Sequence, residues 1–389
     1  MTSAKQTFGV AGETGSGHFG DTLGRQVLIF VEIVKNQILD AVDTIPLRSQ
    51  DQVFTIGDYG AADGSVTIPL IRDIIGRVRE RQGELPVQVV YEDQASNDFN
   101  SLFKRVHGLI PVPRTYLKDF KDVFVTATGA GFFEAVVPPA SADLILSFNA
   151  AHYLSKPVTQ FQDSLHRYPN ATAEESRLVA AQAAEDWETF LFHRAKELRS
   201  GGILVMAMVA DDSHNHVTGL RHCVQQQEDD MLNTWRRMRD EGKITQEEFV
   251  NTNFDRCTKY LDECTAPFKG SKSAVTKHGL QLVSAELVKV PCVARLAWRK
   301  KLDEDGVDDR ETWVKTIGDH LRCWAAWNFI RALSDQRNSD EKEALVDELF
   351  TRIEKKAADT HPDDYLSDPL IAVIVARKVS SCDGHTHTT

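Results

Sequence analysis

Val27, Leu28, Val31, Val34, Ile38, Leu39 and Val42 recur at helical spacing, which predicts an amphipathic helix over 23–42. The pattern then changes to short, continuous apolar runs. These begin at Thr55-Ile56 and continue with Val87–Tyr91, Val123–Ala127, Leu144–Phe148 and Ile203–Ala210, each separated from the next by helical or loop sequence. Runs of this length and spacing read as strands of a parallel sheet covered on both faces. A helix is expected from an N-cap at Thr172 to Leu198, with Gly201-Gly202 as its C-cap before the fifth strand. Gly279–Val290 and Leu370–Lys378 are expected to finish the sheet.

Two segments leave this alternation. Residues 213–275, rich in Gln, Asp, Glu and Arg, and 305–360, holding Trp313, Trp324 and Trp327, read as mostly helical insertions. The expected organisation is a core over 1–212, a helical cap insertion over 213–275, a core strand over 276–304, a second helical cap over 305–360, and a final core strand with a flexible tail over 361–389. Ligands of open α/β sheets lie beyond the carboxyl ends of the strands, so insertions at those ends would roof the site.

The net charge of −12 speaks against a nucleic-acid or anionic-membrane surface, since either calls for a basic face. Cys223, Cys257, Cys264, Cys292, Cys323 and Cys382 form no C-x-x-C pair, as in a protein with reduced thiols. The start Met1-Thr2-Ser3-Ala4-Lys5-Gln6 has no apolar h-region, and the longest apolar run is short enough for a buried strand. A soluble cytoplasmic enzyme is expected.

Chemistry concentrates where the first two strands end. Thr55-Ile56-Gly57-Asp58-Tyr59-Gly60-Ala61-Ala62-Asp63-Gly64-Ser65 leads from a strand through a Gly-x-x-x-Gly turn into a helix beginning near Val66. Gly60 and Gly64 let the backbone pass close to a ligand, and Asp58, at the strand end, is placed to face a cation such as the α-ammonium of S-adenosylmethionine. The spacing differs from the G-x-G-x-x-G of pyrophosphate sites. About thirty residues on, within the span of one βαβ unit, Glu92-Asp93 closes the second strand. Asp93 is placed for the hydroxyls of an adenosine ribose, and Gln94 for the adenine edge. Equally, these residues read as a tight βα connection and a solvated acidic pair.

Together with Glu92–Phe103, Ser141–Pro157 and Arg199–Met206, the stretch Thr55–Ile68 resembles, in order, the SABATH methyltransferases, and Asn97-Asp98-Phe99-Asn100 is the most specific run. The resemblance spans roughly residues 10–378. It implies a class I methyltransferase fold, α/β with a Rossmann-like, mostly parallel sheet and an α-helical cap. It further implies S-adenosylmethionine as donor, a small, aromatic mono- or dicarboxylic acid as acceptor, and a homodimer. Residue by residue, it puts Asp58 and Gly60 at the methionine end of the donor, and Asp63 and Gly64 among the donor-binding residues. Asp93 falls on the ribose, Gln94 and Gly131-Phe132 near adenine, and Ser147 and Asn149 on a strand end lining the donor. In the N-terminal segment it puts Ser16 and Asp21 on the donor. His152-Tyr153 falls on the pair that meets the acceptor carboxylate, and the family's glutamine falls on Gly24, with Arg25 and Gln26 beside it. Trp235, Trp324 and Trp327 are the cap candidates for the acceptor wall, against the plainer reading of helix packing.

The chain departs from the family at Ala61-Ala62-Asp63, Val66 and Gly24, so one substrate contact is missing or relocated. A carboxylate is ionised at neutral pH and needs no general base, which leaves His152 and Tyr153 as positioning groups. A base at His152 would matter for a nitrogen or phenol acceptor. An N-methyltransferase on a heterocycle and a donor-binding, non-catalytic interaction protein are the two alternatives. His214, His216 and His222 lack acids at ligand spacing, and no metal is expected.

Overall fold

The computed structural model describes residues 13–49, 52–167, 170–212, 224–270, 273–365 and 368–379. The strands among them are β1 Phe54–Tyr59, β2 Val87–Glu92, β3 Val123–Thr128, β4 Ala142–Phe148, β5 Leu198–Asp211, β6 Lys259–Tyr260, β7 Leu280–Lys289 and β8 Leu370–Lys378. Helices that precede or alternate with the first strands are α1 His18–Asp21, α2 Leu23–Asp43, α3 Ile68–Gln82, α4 Phe99–Val106 and α5 Ala173–Glu197. After β5 come α6 Val224–Asp240, α7 Gln246–Asn251, α8 Leu261–Thr265, α9 Ala274–Lys277, α10 Val293–Asp305, α11 Arg310–Ala332 and α12 Ser339–Ala358.

The strands lie in the order β3-β2-β1-β4-β5-β8-β7, with β6 beside β5. The first five are parallel to one another, and β8 runs antiparallel to both β5 and β7. The chain thus forms the mostly parallel α/β sheet with added helices that its periodicity predicts. Tyr59 is level with Glu92 across the β1–β2 pair, so the turn after β1 and the acid after β2 emerge side by side. The order reverses at β1, which has β2 on one side and β4 on the other. That is the crevice where ligands of such sheets sit.

Apolar side chains of α2 and α3 bury one sheet face, and α5 with Trp187 and Phe190 buries the other. A separate core holds α6, α7, α10, α11 and α12 together through Trp235, Trp298, Trp313, Phe329 and Phe350. Each fully buried aliphatic or aromatic side chain contributes about 1.5–3 kcal/mol, enough for this cluster to form a cap with its own interior.

The connection from α5 to β5 differs from the expected C-cap. Thr172 does cap α5, reciprocally with Glu175, but the helix ends at Glu197 and Leu198 is already extended. Gly201 and Gly202 sit inside β5, at the irregularity where Ala142 pairs with Leu198 and Leu144 pairs with Ile203. Gly201 has φ +81°, and a Cβ there would lie 2.4 Å from the Pro46 ring, so the bulge itself demands glycine. Residues 276–304, expected as a core strand, hold β7 followed by α10, whose Ala294 and Trp298 join the cap interior. The tail and His214, His216 and His222 lie outside the described residues.

Candidate functional site

A cleft of ≈1110 Å³ opens beyond the carboxyl ends of β1, β2 and β4. Its floor is the glycine turn. Gly60 has φ +76°, and a Cβ on it would fall 2.2 Å from Ala150, so only glycine lets this turn pass the loop after β4. The Gly60 and Ala61 amides both donate to the Glu92 carbonyl, at 2.9 and 3.0 Å, joining the ends of β1 and β2. Asp93 Oδ2 accepts from the Ala62 amide and Oδ1 from the Gln94 amide, each at 2.8 Å. Burial pushes the Asp93 carboxyl up to about 6, while the two amides pull the other way.

Of the residues singled out from sequence, Ser16, Gly60, Asp63, Asp93, Gln94, Gly131, Phe132, Asn149, Tyr153 and Trp327 line this cleft. Leaving aside its chain neighbours, a Cβ at Gly131 would meet nothing within 4 Å. Asn149 follows β4 with φ 56°, a left-handed turn, and lines the cleft.

Others stand elsewhere. Asp58 is 1 % exposed and lies behind the cleft wall, where its Oδ2 accepts from the Thr67 hydroxyl. Burial pushes its carboxyl up to about 7. Expected to face the cleft, Asp58 instead fastens the start of α3 to the end of β1. Gly64 also lies behind the wall, with φ +73° and Leu102 2.8 Å from its hypothetical Cβ. Ser147 is buried in β4, away from the cleft lining. Asp21 and Arg25 are exposed on α1 and α2 and line neither cavity. Gln26 is committed to the backbone: its Nε2 donates to the Pro291 carbonyl at 3.1 Å and its Oε1 accepts from the Val293 amide at 2.8 Å. Trp235 is fully buried in the cap, donating to Thr252 Oγ1 at 3.0 Å, and does not reach the acceptor side. Trp313 is likewise interior, edge-on to Tyr365.

Asp63 touches the cleft but is spoken for. It pairs with Arg105 Nη2 at 2.8 Å and accepts from the Gly20 amide at 3.0 Å. The Gly15 amide donates to Asp98 Oδ2 at 2.8 Å, the Gly17 amide to Ser101 Oγ at 2.9 Å, and Arg105 Nη2 to the Gly17 carbonyl at 3.0 Å. Asn97 Nδ2 donates to the Ala62 carbonyl at 2.8 Å. The Asn-Asp-Phe-Asn run therefore clamps the N-terminal segment and the glycine turn to one another and supplies cleft wall directly, a role that sequence reading left unassigned.

Tyr153 and Asn149 also line a second cavity, of ≈80 Å³, which receives His152, Trp324, Gln26 and Arg256. His152 is buried, and desolvation, followed by the nearby Arg256 and Lys259 charges, holds its pKa well below the usual histidine value. Burial raises the Tyr153 phenol above its ordinary range, so it is present as the hydroxyl. Arg256 was missed from sequence because residues 251–258 carry no periodic signal; it reaches the site by pairing antiparallel across from Tyr153. No cluster of three or more metal-ligand side chains occurs among the described residues.

A family model described as SAM dependent carboxyl methyltransferase matches residues 28–378. "Methyltransferase FUS9" of Gibberella moniliformis is 30% identical over 162 residues, 41% of this chain and 41% of its own length. "Indole-3-acetate O-methyltransferase 1" of Oryza sativa subsp. japonica is 29% identical over 216 residues, 49% of this chain and 51% of its own. The chain spans about half the length of the curated relatives it matches. The solved structure of a loganic acid methyltransferase with SAH superposes with a TM-score of 0.75 over 97% of this chain and 100% of the other, at 17% identity, a likeness of fold.

Proposed function

The chain belongs to the S-adenosylmethionine-dependent carboxyl methyltransferase family, and from that premise we propose that it methylates the carboxylate of a small, aromatic mono- or dicarboxylic acid by direct in-line transfer. The observation that carries this reading is the shared wall of Tyr153 and Asn149, where a large cleft, read as the donor's, meets a small, mostly apolar cavity with a few polar side chains, read as the acceptor's.

The cleft fits S-adenosylmethionine on its own chemistry. Each Asp93 oxygen takes one backbone amide and keeps lone-pair capacity for a ribose hydroxyl. Gly131, with open space where a Cβ would stand, and Phe132 line the part of the cleft that would take a flat heterocycle. When bound, the donor supplies an electrophilic methyl group. The protein's part is alignment: Tyr153 and His152 orient a carboxylate already ionised at neutral pH, and the cap excludes water. The depressed pKa of His152 makes it a poor proton acceptor at pH 7, which favours a reaction without a base.

The other parts of the reading are a Rossmann-like core with two helical cap segments, a homodimer and a cytoplasmic location. The four described cysteines are buried free thiols, which supports a reducing compartment. No helix among the described residues is long and apolar enough to cross a membrane. Reaction of the purified protein with labelled donor and pooled carboxylic acids, followed by mass spectrometry, tests the function. Labelled methyl esters are expected. Label found only on nitrogen heterocycles, or donor binding without transfer, would overturn it.

A further inference from the structure

Three buried residues from three separate segments line the ≈80 Å³ cavity, and each carries a side-chain nitrogen with no hydrogen-bond partner among the described residues. They are Arg256 Nε, His152 Nδ1 and His320 Nε2, and the residues are 8 %, 3 % and 8 % exposed. Buried polar groups are paired as a rule, so three together on one cavity call for a ligand that pairs them. The space is several times what one water needs, room for a compact polar group.

The backbone explains how they meet. The Leu154 amide donates to the Asp255 carbonyl at 2.9 Å and the Cys257 amide to the His152 carbonyl at 2.8 Å, which sets Arg256 directly opposite Tyr153. The Arg256 guanidinium lies with its carbon over the Trp324 ring, 4.3 Å from the ring centroid. One of its ends, Nη2, pairs with Glu228 Oε1, and Glu228 Oε2 in turn meets His166 Nε2 at 3.3 Å. Arg256 Nε has no hydrogen-bond partner among the described residues, and the residue lines the cavity. Desolvation pushes the His320 imidazole down to about 4 and holds His152 low as well, so both rings are neutral at pH 7 and Arg256 is the one cation lining this cavity among the described residues.

We propose that Arg256, fixed by Trp324 and Glu228, is the residue that receives the acceptor's carboxylate, with His152 and His320 completing the seat, and that it selects ionised acids over neutral heterocycles. This rests on the carboxyl-methylation reading above. It accounts for Gly24 and for the engaged Gln26 amide: the missing contact is relocated to the cap.

The test uses benzoate and its neutral isostere benzamide as probes, titrated by calorimetry into the full-length protein saturated with S-adenosylhomocysteine. Wild type is expected to prefer benzoate at least tenfold, as a charge-assisted pair requires. Removing Arg256 alone would strand Glu228, so the informative variant is Arg256→Gln with Glu228→Gln, which keeps the buried pair neutral. It should lose the preference with S-adenosylhomocysteine affinity unchanged, and Arg256→Lys, which keeps the charge without the planar fork, should retain part of it. Equal binding of the two probes by wild type, or a preference that survives in the double variant, overturns the seat. Methylation of pooled acids is scored separately. Acids methylated without any benzoate preference reject the seat alone, whereas a benzoate preference lost in the double variant, with no acid methylated, upholds the seat and rejects the proposed reaction.

Discussion

Asp93 accepts the Ala62 amide at 2.8 Å, so the acid that ends β2 is fastened to the glycine turn that ends β1. The bond sets the direction of the carboxylate and ties the two halves of the donor site together.

Asp93→Ala should therefore lower calorimetric affinity for S-adenosylhomocysteine at least tenfold, since hydrogen bonds to a charged acceptor contribute about 1.5–3 kcal/mol each. Unchanged affinity in a folded variant would take Asp93 out of the site.

Tyr153→Phe keeps the ring and removes only the hydroxyl. The loss of one hydrogen bond to a carboxylate predicts a ten- to hundredfold fall in kcat/KM for the acid, about 1.5–3 kcal/mol, with donor affinity little changed. Equal activity across several acids would place carboxylate recognition elsewhere.

The pH dependence of the reaction should follow the acceptor. The rate on an acid should level off above that acid's own pKa, with no further limb near 6.5, because the buried His152 does not titrate there. A limb near 6.5 that disappears in His152→Gln would reinstate a general base.

Asp58 makes a prediction about stability. Its carboxyl titrates near 3.8 when unfolded and near 7 when folded, so between those values the folded state binds more protons. Stability then falls as pH rises from about 4 to about 7. Asn at this position can still accept the Thr67 hydroxyl but cannot ionise. Relative to wild type, Asp58→Asn should gain about 2–3 kcal/mol between pH 5 and pH 8, read from urea denaturation. A constant difference between the two proteins would show that Asp58 ionises freely in the fold.

The contrast between Asp58 and Asp93 shows what local sequence carries. Apolar runs located β1, β2, β4 and β8 closely, because strands buried on both faces need continuous apolar residues. The acid after β2 was placed by the same logic. Asp58 looked equivalent, yet Thr67, nine residues on, captures its side chain, and nothing in the spacing declares which of two polar groups a buried carboxylate will choose. The β5 start was hidden because α5 passes into it without a loop. Trp235 and Trp327 are both cap tryptophans near a helical stripe, and only the packing of α6 against α11 decides that one is interior and the other faces the cleft. Arg256 depends on a pairing between segments about a hundred residues apart, for which neither segment has a periodic signature.

The position of β8 between β5 and β7 has a consequence for how the protein is made. A ribosome delivers Leu370–Lys378 after every described helix of the cap. Until then β5 presents an open edge along Ile203–Val209, and β7 has no strand to join it to the sheet. Open strand edges recruit other chains, so the nascent protein spends the synthesis of α10, α11 and α12 in its most association-prone form. The last strand acts as the closing clasp, and vectorial folding of the donor-binding half cannot be completed by that half alone.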